Sequence, residues 1–306
     1  MARREWSWTA NRKAQADSVN EVVNELREYW PLTLRQVYYR LVVKEIIENT
    51  RSRYIDLSRL VKFMRIDGLL DWDAIEDRTR RVSRKRGQND SDEYLKEEID
   101  IFLSGYQRCY VQGQDSYVEV WFEKDALSRI FEDVAWYYCI RAVVCRGYQS
   151  VTFLKEYRDR ALRAKTSGQL PVILYFGDFD PSGMQMFEAT QETLEKEMEL
   201  TGVLYQRIAL NLGDIHEYKL PHNPDAVKKS DRRYQKFVKE YGHYAVELDA
   251  LHPATLKRIT SEAVEAQFDM DLFREQKEIE RMERKKLADL KNHVLKSIED
   301  WKNRNV

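Results

Sequence analysis

Residues 170–183 read Leu170-Pro171-Val172-Ile173-Leu174-Tyr175-Phe176-Gly177-Asp178-Phe179-Asp180-Pro181-Ser182-Gly183. The apolar run, rich in β-branched and aromatic residues, predicts a buried strand over 171–176. It ends in two aspartates one residue apart. Alternate side chains of extended backbone share a face, so Asp178 and Asp180 point one way and Phe179 the other. Pro181 and Gly183 then turn the chain into a helix. Two readings of the aspartates compete. They serve as a turn residue and a helix cap, or they hold a cation.

The flanking sequence alternates strand and helix. YVEVWF (117–122) reads as a strand and DALSRIFEDVAWYY as a helix. IRAVVC (140–145) is a second strand, followed by the turn Arg146-Gly147-Tyr148 and the helix SVTFLKEYRDRAL. The strand 171–176 is the third, and the helix MQMFEATQETLEKEMEL follows it. This order predicts an α/β, Rossmann-like domain whose parallel sheet lies between helices, with ligands at the carboxyl ends of the strands. Glu123 sits just past the strand 117–122, so adjacent parallel strands bring it toward Asp178 and Asp180. Three carboxylates at one sheet edge repel unless a cation neutralises them. With no His or Cys nearby, oxygen ligation favours Mg²⁺. On the plainer reading Glu123 is a surface acid. Asp125, directly before ALSRIF, reads as an N-cap rather than a ligand.

Upstream, apolar positions at helical spacing over 15–29 predict a helix closed by Trp30-Pro31. Thr33-Leu34-Arg35-Gln36 has the form of a capping box opening a helix through about Val43. IDLSRLVKFMRIDGLL is a third helical pattern ending near Gly68, with Arg59, Lys62 and Arg65 on it. Three short helices of this kind fit a helix-turn-helix or winged-helix module. RTRRVSRKRG (78–87) follows, with six basic side chains in its first nine residues. So dense a run suits phosphate contact, which makes Arg78, Arg80, Arg81, Arg84, Lys85 and Arg86 candidate DNA ligands alongside Arg59, Lys62 and Arg65. The cluster Lys228-Lys229-Ser230-Asp231-Arg232-Arg233 is a secondary candidate. Residues 91–108 read as helical, and the polar stretch 112–115 marks a boundary. The expected division is a helical module over 1–112, the α/β domain over 113–270, and a long charged helix over 271–306.

The 306 residues are 43% hydrophobic and 34% charged, and no apolar run approaches a membrane span. No signal-peptide pattern opens the chain, so a cytoplasmic protein is expected, nucleoid-associated if the source is prokaryotic. Cys109, Cys139 and Cys145 show no disulfide or zinc spacing and read as reduced, mostly buried thiols. The net charge of −1 is unevenly spread. Residues 1–90 carry 19 basic against 14 acidic side chains, and residues 91–306 carry 32 against 38. A basic front and an acidic rear suit a chain that grips a polyanion at one end and binds cations at the other. Gly-rich phosphate loops are absent, so ATP use by this chain is not expected.

Phe122-Glu123-Lys124-Asp125 after one strand and GDFDPSG after another resemble a Toprim domain. The DPSG extension most resembles the topoisomerase VI A subunit and the related meiotic double-strand-break protein, and also the Toprim subunit of Wadjet-type plasmid-defence systems. The resemblance covers about residues 115–265, with ELDAL at 247–251 also in keeping. It implies that Glu123, Asp178 and Asp180 bind Mg²⁺. That family places a winged-helix domain first, with its catalytic tyrosine in an Arg-x-x-Tyr-Tyr setting, matched here by Arg35-Gln36-Val37-Tyr38-Tyr39.

On this helix Leu34, Val37, Tyr38 and Leu41 form one apolar stripe, which puts Tyr38 in the core. Tyr39 falls off the stripe and is expected to be exposed, one turn from Arg35. The second tyrosine also matches the family's nucleophile. The resemblance therefore implies a 5′-phosphotyrosyl link through Tyr39, assisted by Arg35 and Glu123, with double-strand breaks made by a homodimer and a separate ATPase subunit as a candidate partner. The compact N-terminal part and the segment DAIEDRTRR depart from the family. Two alternatives stand beside this reading: a Toprim nuclease using water, with Tyr39 structural, and a non-catalytic DNA-binding module.

Overall fold

The computed structural model describes residues 6–76, 90–147, 149–223, 234–242 and 244–305. Helix α1 (Ala10–Glu25) starts where Thr9 Oγ1 accepts from Arg12 N. Helix α2 (Leu34–Val43) opens on the expected capping box, Thr33 and Gln36 each satisfying a first-turn amide of the other. Helix α3 (Arg51–Ile66) is capped by Thr50. Helix α4 (Ser91–Ile101) stops short of the expected residue 108. Strand β1 (Ser116–Phe122) leads through a 3-10 turn, Asp125–Leu127, into helix α5 (Ser128–Tyr138).

Strand β2 (Arg141–Val144), helix α6 (Val151–Thr166), strand β3 (Leu170–Phe176) and helix α7 (Pro181–Glu192) follow. A single π-helical turn, Thr193–Glu197, precedes strand β4 (Leu204–Ala209). Helices α8 (Leu212–Glu217) and α9 (Tyr234–Tyr241) come next, then a 3-10 turn at Leu248–Ala250 and helices α10 (Pro253–Glu265) and α11 (Met270–Asn305). Among the described residues no helix is long and apolar enough to cross a membrane.

The chain forms two compact units. One comprises Met1–Thr79 and Ser116–Gln267, so α1 to α3 and the α/β part share a body. The other comprises Arg80–Asp115 and Phe268–Val306. In this second unit Arg108 reaches α11 through Gln276 Oε1 at 2.8 Å and Glu283 Oε1 at 2.9 Å, and Tyr110 packs edge-on against Phe273.

In the first unit all four strands are parallel, in the order β2-β1-β3-β4. Both central strands are buried on both faces, which is why they read as continuous apolar runs rather than alternating ones. One face carries Trp121, Ile173 and Tyr175 against Leu154, Tyr157 and Ala161 of α6. On the other, Phe122 stacks on Phe131 of α5, which also meets Phe176. Glu119 is fully buried within β1, paired to Arg160 at 2.7 Å and accepting from Tyr117 and Trp121. Such a charge persists inside only when paired and hydrogen-bonded.

Several expectations change. The first helix begins at Ala10 and ends at Glu25, with Arg27–Tyr29 a 3-10 turn. Strand β4 was not expected, because Gln206 and Arg207 interrupt its apolar pattern. Asp125 opens the 3-10 turn that leads into α5. It accepts from Ser128 Oγ and pairs with Arg146 at 2.5 Å. Of the cysteines only Cys145 is buried; Cys139 is half-buried and Cys109 exposed.

Candidate functional site

The carboxyl edge of the sheet is built by the ends of β1 and β3. Glu123 N donates to Phe176 O at 3.0 Å, continuing the β1–β3 ladder one residue past the strand. The backbone stays extended through Asp178-Phe179-Asp180 because Phe179 and Val246 exchange hydrogen bonds at 2.9 and 3.0 Å. Phe179 is 2% exposed and packs on Phe237 and Tyr241, as its alternation predicts.

Arg207 of β4 fixes the turn from beneath. Its guanidinium donates to the carbonyls of Gly177, Asp178, Gly183 and Leu210, the Asp178 bond being 2.6 Å. A buried cation that spends its donors on carbonyls leaves the aspartate carboxylates to other partners. Gly183 is required there, since a Cβ would run into the Asp178 carbonyl oxygen and come 3.3 Å from Glu123 Oε2.

The three expected acids are gathered at this edge. Glu123 Oε2 accepts from Asp178 N at 3.1 Å, and Asp180 Oδ1 accepts from Gly183 N at 2.7 Å. Asp180 thus serves as the N-cap of α7 whatever else it does. Burial, then the neighbouring Asp178 charge, pushes the Glu123 carboxyl up to about 7. Burial also raises Asp180.

Asp178 is engaged at both oxygens. Oδ1 accepts from Leu248 N at 2.8 Å, and Oδ2 lies 3.0 Å from Lys124 Nζ. The same ammonium pairs with Asp249 at 2.8 Å and with Glu247. Glu247 is further paired with Arg35 and accepts from Asn223 at 3.0 Å. Arg35 Nε also donates to Asp249 at 3.2 Å. The side chain of Asp249 is fully buried. Burial pushes its carboxyl up, but Lys124 and Arg35 overcome that and hold it below the usual carboxylate range.

The donors Glu123, Asp178 and Asp180 are of the oxygen chemistry that Mg²⁺ takes. Their arrangement does not yet fit it. Among the described residues no group of three or more His, Cys, Asp or Glu side chains is placed to hold a metal ion, and Asp178 already holds an ammonium.

Tyr39 departs from its expected exposure. It is 2% exposed, its ring beneath the Arg35 guanidinium at 5.7 Å and edge-on to Tyr38 at 5.1 Å. Tyr38 is core, as expected, and donates to Thr50 O at 3.0 Å. The apolar stripe described only one flank of α2. The 3-10 turn Leu248–Ala250 packs on the helix as well and covers its second flank. Burial pushes the Tyr39 phenol well above its ordinary value; Arg35 opposes this, and the charges of Asp249 and Asp178 add to it. Tyr39 and Arg35 line one cleft of about 270 Å³ with Asn49, Arg51, Asn223 and Glu247.

Of the DNA candidates, Arg59 and Lys62 are exposed on α3 and line a larger cleft of about 880 Å³ with Trp6, Arg12, Arg53 and Phe63. Arg65 is engaged instead, donating to Trp72 O at 2.6 Å and lying over the Trp72 ring. Arg78, Arg80, Arg81, Arg84, Lys85 and Arg86, and the cluster at 228–233, lie outside the described residues.

Lys124, Glu247, Asp249 and Arg207 were missed as site residues. A signal existed for two of them, because Glu247-Leu248-Asp249 repeats the spacing of Asp178-Phe179-Asp180. Compared with known proteins, the chain matches no family model, no curated protein and no solved structure.

Proposed function

We propose that this chain cleaves DNA phosphodiesters at the carboxyl edge of its sheet, as a topoisomerase VI A-like transesterase with Tyr39 as nucleophile. One observation carries the reading: Arg35, whose guanidinium overlies the Tyr39 ring, is bonded to Asp249 in the same ion network that holds Asp178. A tyrosine, a cation suited to phosphate and the acid edge therefore share one place.

In the step proposed, the Tyr39 oxygen attacks phosphorus, the bond to the 3′ oxygen breaks, and that oxygen leaves as a 3′ hydroxyl. The phenol gives up its proton and the leaving oxygen gains one. Glu123, at the same acid edge, is the carboxylate assigned to assist that proton exchange. Mg²⁺ held by the acids would neutralise charge developing on the phosphoryl group. Exposed Arg59 and Lys62, with Arg12 and Arg53 in the same cleft, supply cations for the DNA backbone. Making double-strand breaks calls for a homodimer, and strand passage for a separate ATPase subunit.

The burial of Tyr39 favours a second reading, hydrolysis by water at the same acids with Tyr39 structural. Supercoiled plasmid incubated with protein and Mg²⁺, then quenched in detergent, separates the two. Linear DNA covalently attached to protein supports transesterification. Cleavage by Tyr39→Phe without an adduct transfers the conclusion to the nuclease, and no cleavage by the wild type removes both.

A further inference from the structure

The resemblance asks for a divalent cation on Asp178, whereas the structure puts an ammonium there. We propose that the two are alternative occupants: Lys124 is a tethered cation that holds Asp178 in the metal-free protein and is exchanged for a divalent cation when one binds. This rests on the metal reading of the acid edge and adds to it how the site opens.

Two independent features support an exchange rather than a fixed ion pair. The first is that Lys124 has other partners. Its ammonium, 14% exposed at the side chain, reaches Asp178, Glu247 and Asp249 together, so leaving Asp178 still keeps two carboxylates. An ammonium has three donors, and giving up one partner of three leaves a charge still paired in a buried place. The second is a vacant acceptor beside it. Asp249 Oδ1 is buried without a hydrogen-bond partner, although Oδ2 of the same carboxylate already takes Lys124 at 2.8 Å and Arg35 at 3.2 Å. A buried carboxylate oxygen left unpaired is costly and calls for an explanation. Here it is the acceptor for the third ammonium donor once Asp178 is given up.

The charges suit this exchange. With Lys124 on Glu247 and Asp249, the oxygen of Asp178 that it vacates joins Glu123 and Asp180, whose carboxylates meet backbone amides and no side-chain cation within ion-pair distance among the described residues. A divalent ion then meets three acids without facing an ammonium on one of them. While Lys124 stays on Asp178, like-charge repulsion at a few ångström opposes its entry.

Calorimetric Mg²⁺ titration of the full chain, with wild type, Lys124→Gln and Asp178→Asn, tests the exchange without any activity assay. Lys124→Gln is expected to bind Mg²⁺ tighter by about ten-fold or more, the scale that one removed charge commands at this range. Asp178→Asn is expected to lose the binding. Equal or weaker binding by Lys124→Gln, with wild-type binding measurable, overturns the exchange and leaves the metal reading standing. No binding by either protein removes the metal reading and the exchange with it.

Should Lys124→Gln fail to fold, lysine ammonium NMR on the wild type, assigned with Lys124→Arg, reads the same event. The Lys124 signal is expected to shift on Mg²⁺ addition while staying protected from solvent. A signal unmoved at saturating Mg²⁺ overturns the proposal.

Discussion

Arg35 Nε donates to Asp249 Oδ2 at 3.2 Å, joining residues 214 apart in sequence and binding the tyrosine-bearing helix α2 to the turn behind the acid edge. Asp249 is fully buried and answers two cations, Arg35 and Lys124. Asp249→Ala should therefore cost about 1–3 kcal/mol in denaturant unfolding, because Lys124 and Arg35 each lose a fully buried partner while keeping Glu247. A loss within the range of an ordinary surface change would show the network to be dispensable.

Tyr38 and Tyr39 are neighbours with different attachments. The Tyr38 hydroxyl donates to Thr50 O, and that of Tyr39 makes no hydrogen bond among the described residues. Tyr38→Phe should cost about 1 kcal/mol. Tyr39→Phe should stay within about 0.5 kcal/mol of wild type. Thermal unfolding of the pair checks this, and near-neutral Tyr39→Phe makes that variant a clean probe of the adduct assay.

Gly183→Ala should cost about 1–3 kcal/mol, since the new methyl meets the Asp178 carbonyl at a packed turn. The same displacement should weaken any Mg²⁺ binding seen by calorimetry. Unchanged stability and binding would mean the turn relaxes freely.

The hydrogen bond from Lys44, 2.7 Å from Glu25, holds the Glu25 carboxyl below its ordinary value of 4.5, with burial opposing. A carboxyl whose folded value is depressed adds stability that is fully present above its unfolded value and lost as pH falls through the folded one. Stability measured from pH 5 downward should therefore fall less steeply in Lys44→Met than in wild type. Identical acid limbs would remove Glu25 from the account.

The logarithm of DNA affinity should fall linearly with the logarithm of salt concentration. The double change Arg59→Ala with Lys62→Ala should flatten that slope by about 0.9 for each phosphate that is no longer neutralised. An unaltered slope in a fluorescence-anisotropy titration would place the DNA elsewhere on the protein.

What the sequence settles about this chain is mostly local. Thr33 and Gln36 satisfy amides within their own turn, and the strands at 117–122 and 171–176 are apolar enough to be read without neighbours. The caps of α3 and α6 obey the same short-range chemistry. Strand β4 escaped because Gln206 and Arg207 lie in it, and Arg207 is there to hold carbonyls that come from two other segments. The periodicity of α2 placed Tyr38 correctly and Tyr39 wrongly. A helix pattern registers one buried flank, and the second flank is covered by a turn more than 200 residues later.

The acids divide along the same line. Asp178, Asp180 and Glu123 are legible because a buried strand ends at each of their positions, and parallel strands bring such ends together. That Lys124 spans Asp178, Glu247 and Asp249, and that Arg35 closes the network, came only from the tertiary structure. Charges a few ångström apart govern one another's partners however far apart they lie along the chain. Sequence spacing named the acids at this edge; packing decided that Asp178 holds the Lys124 ammonium.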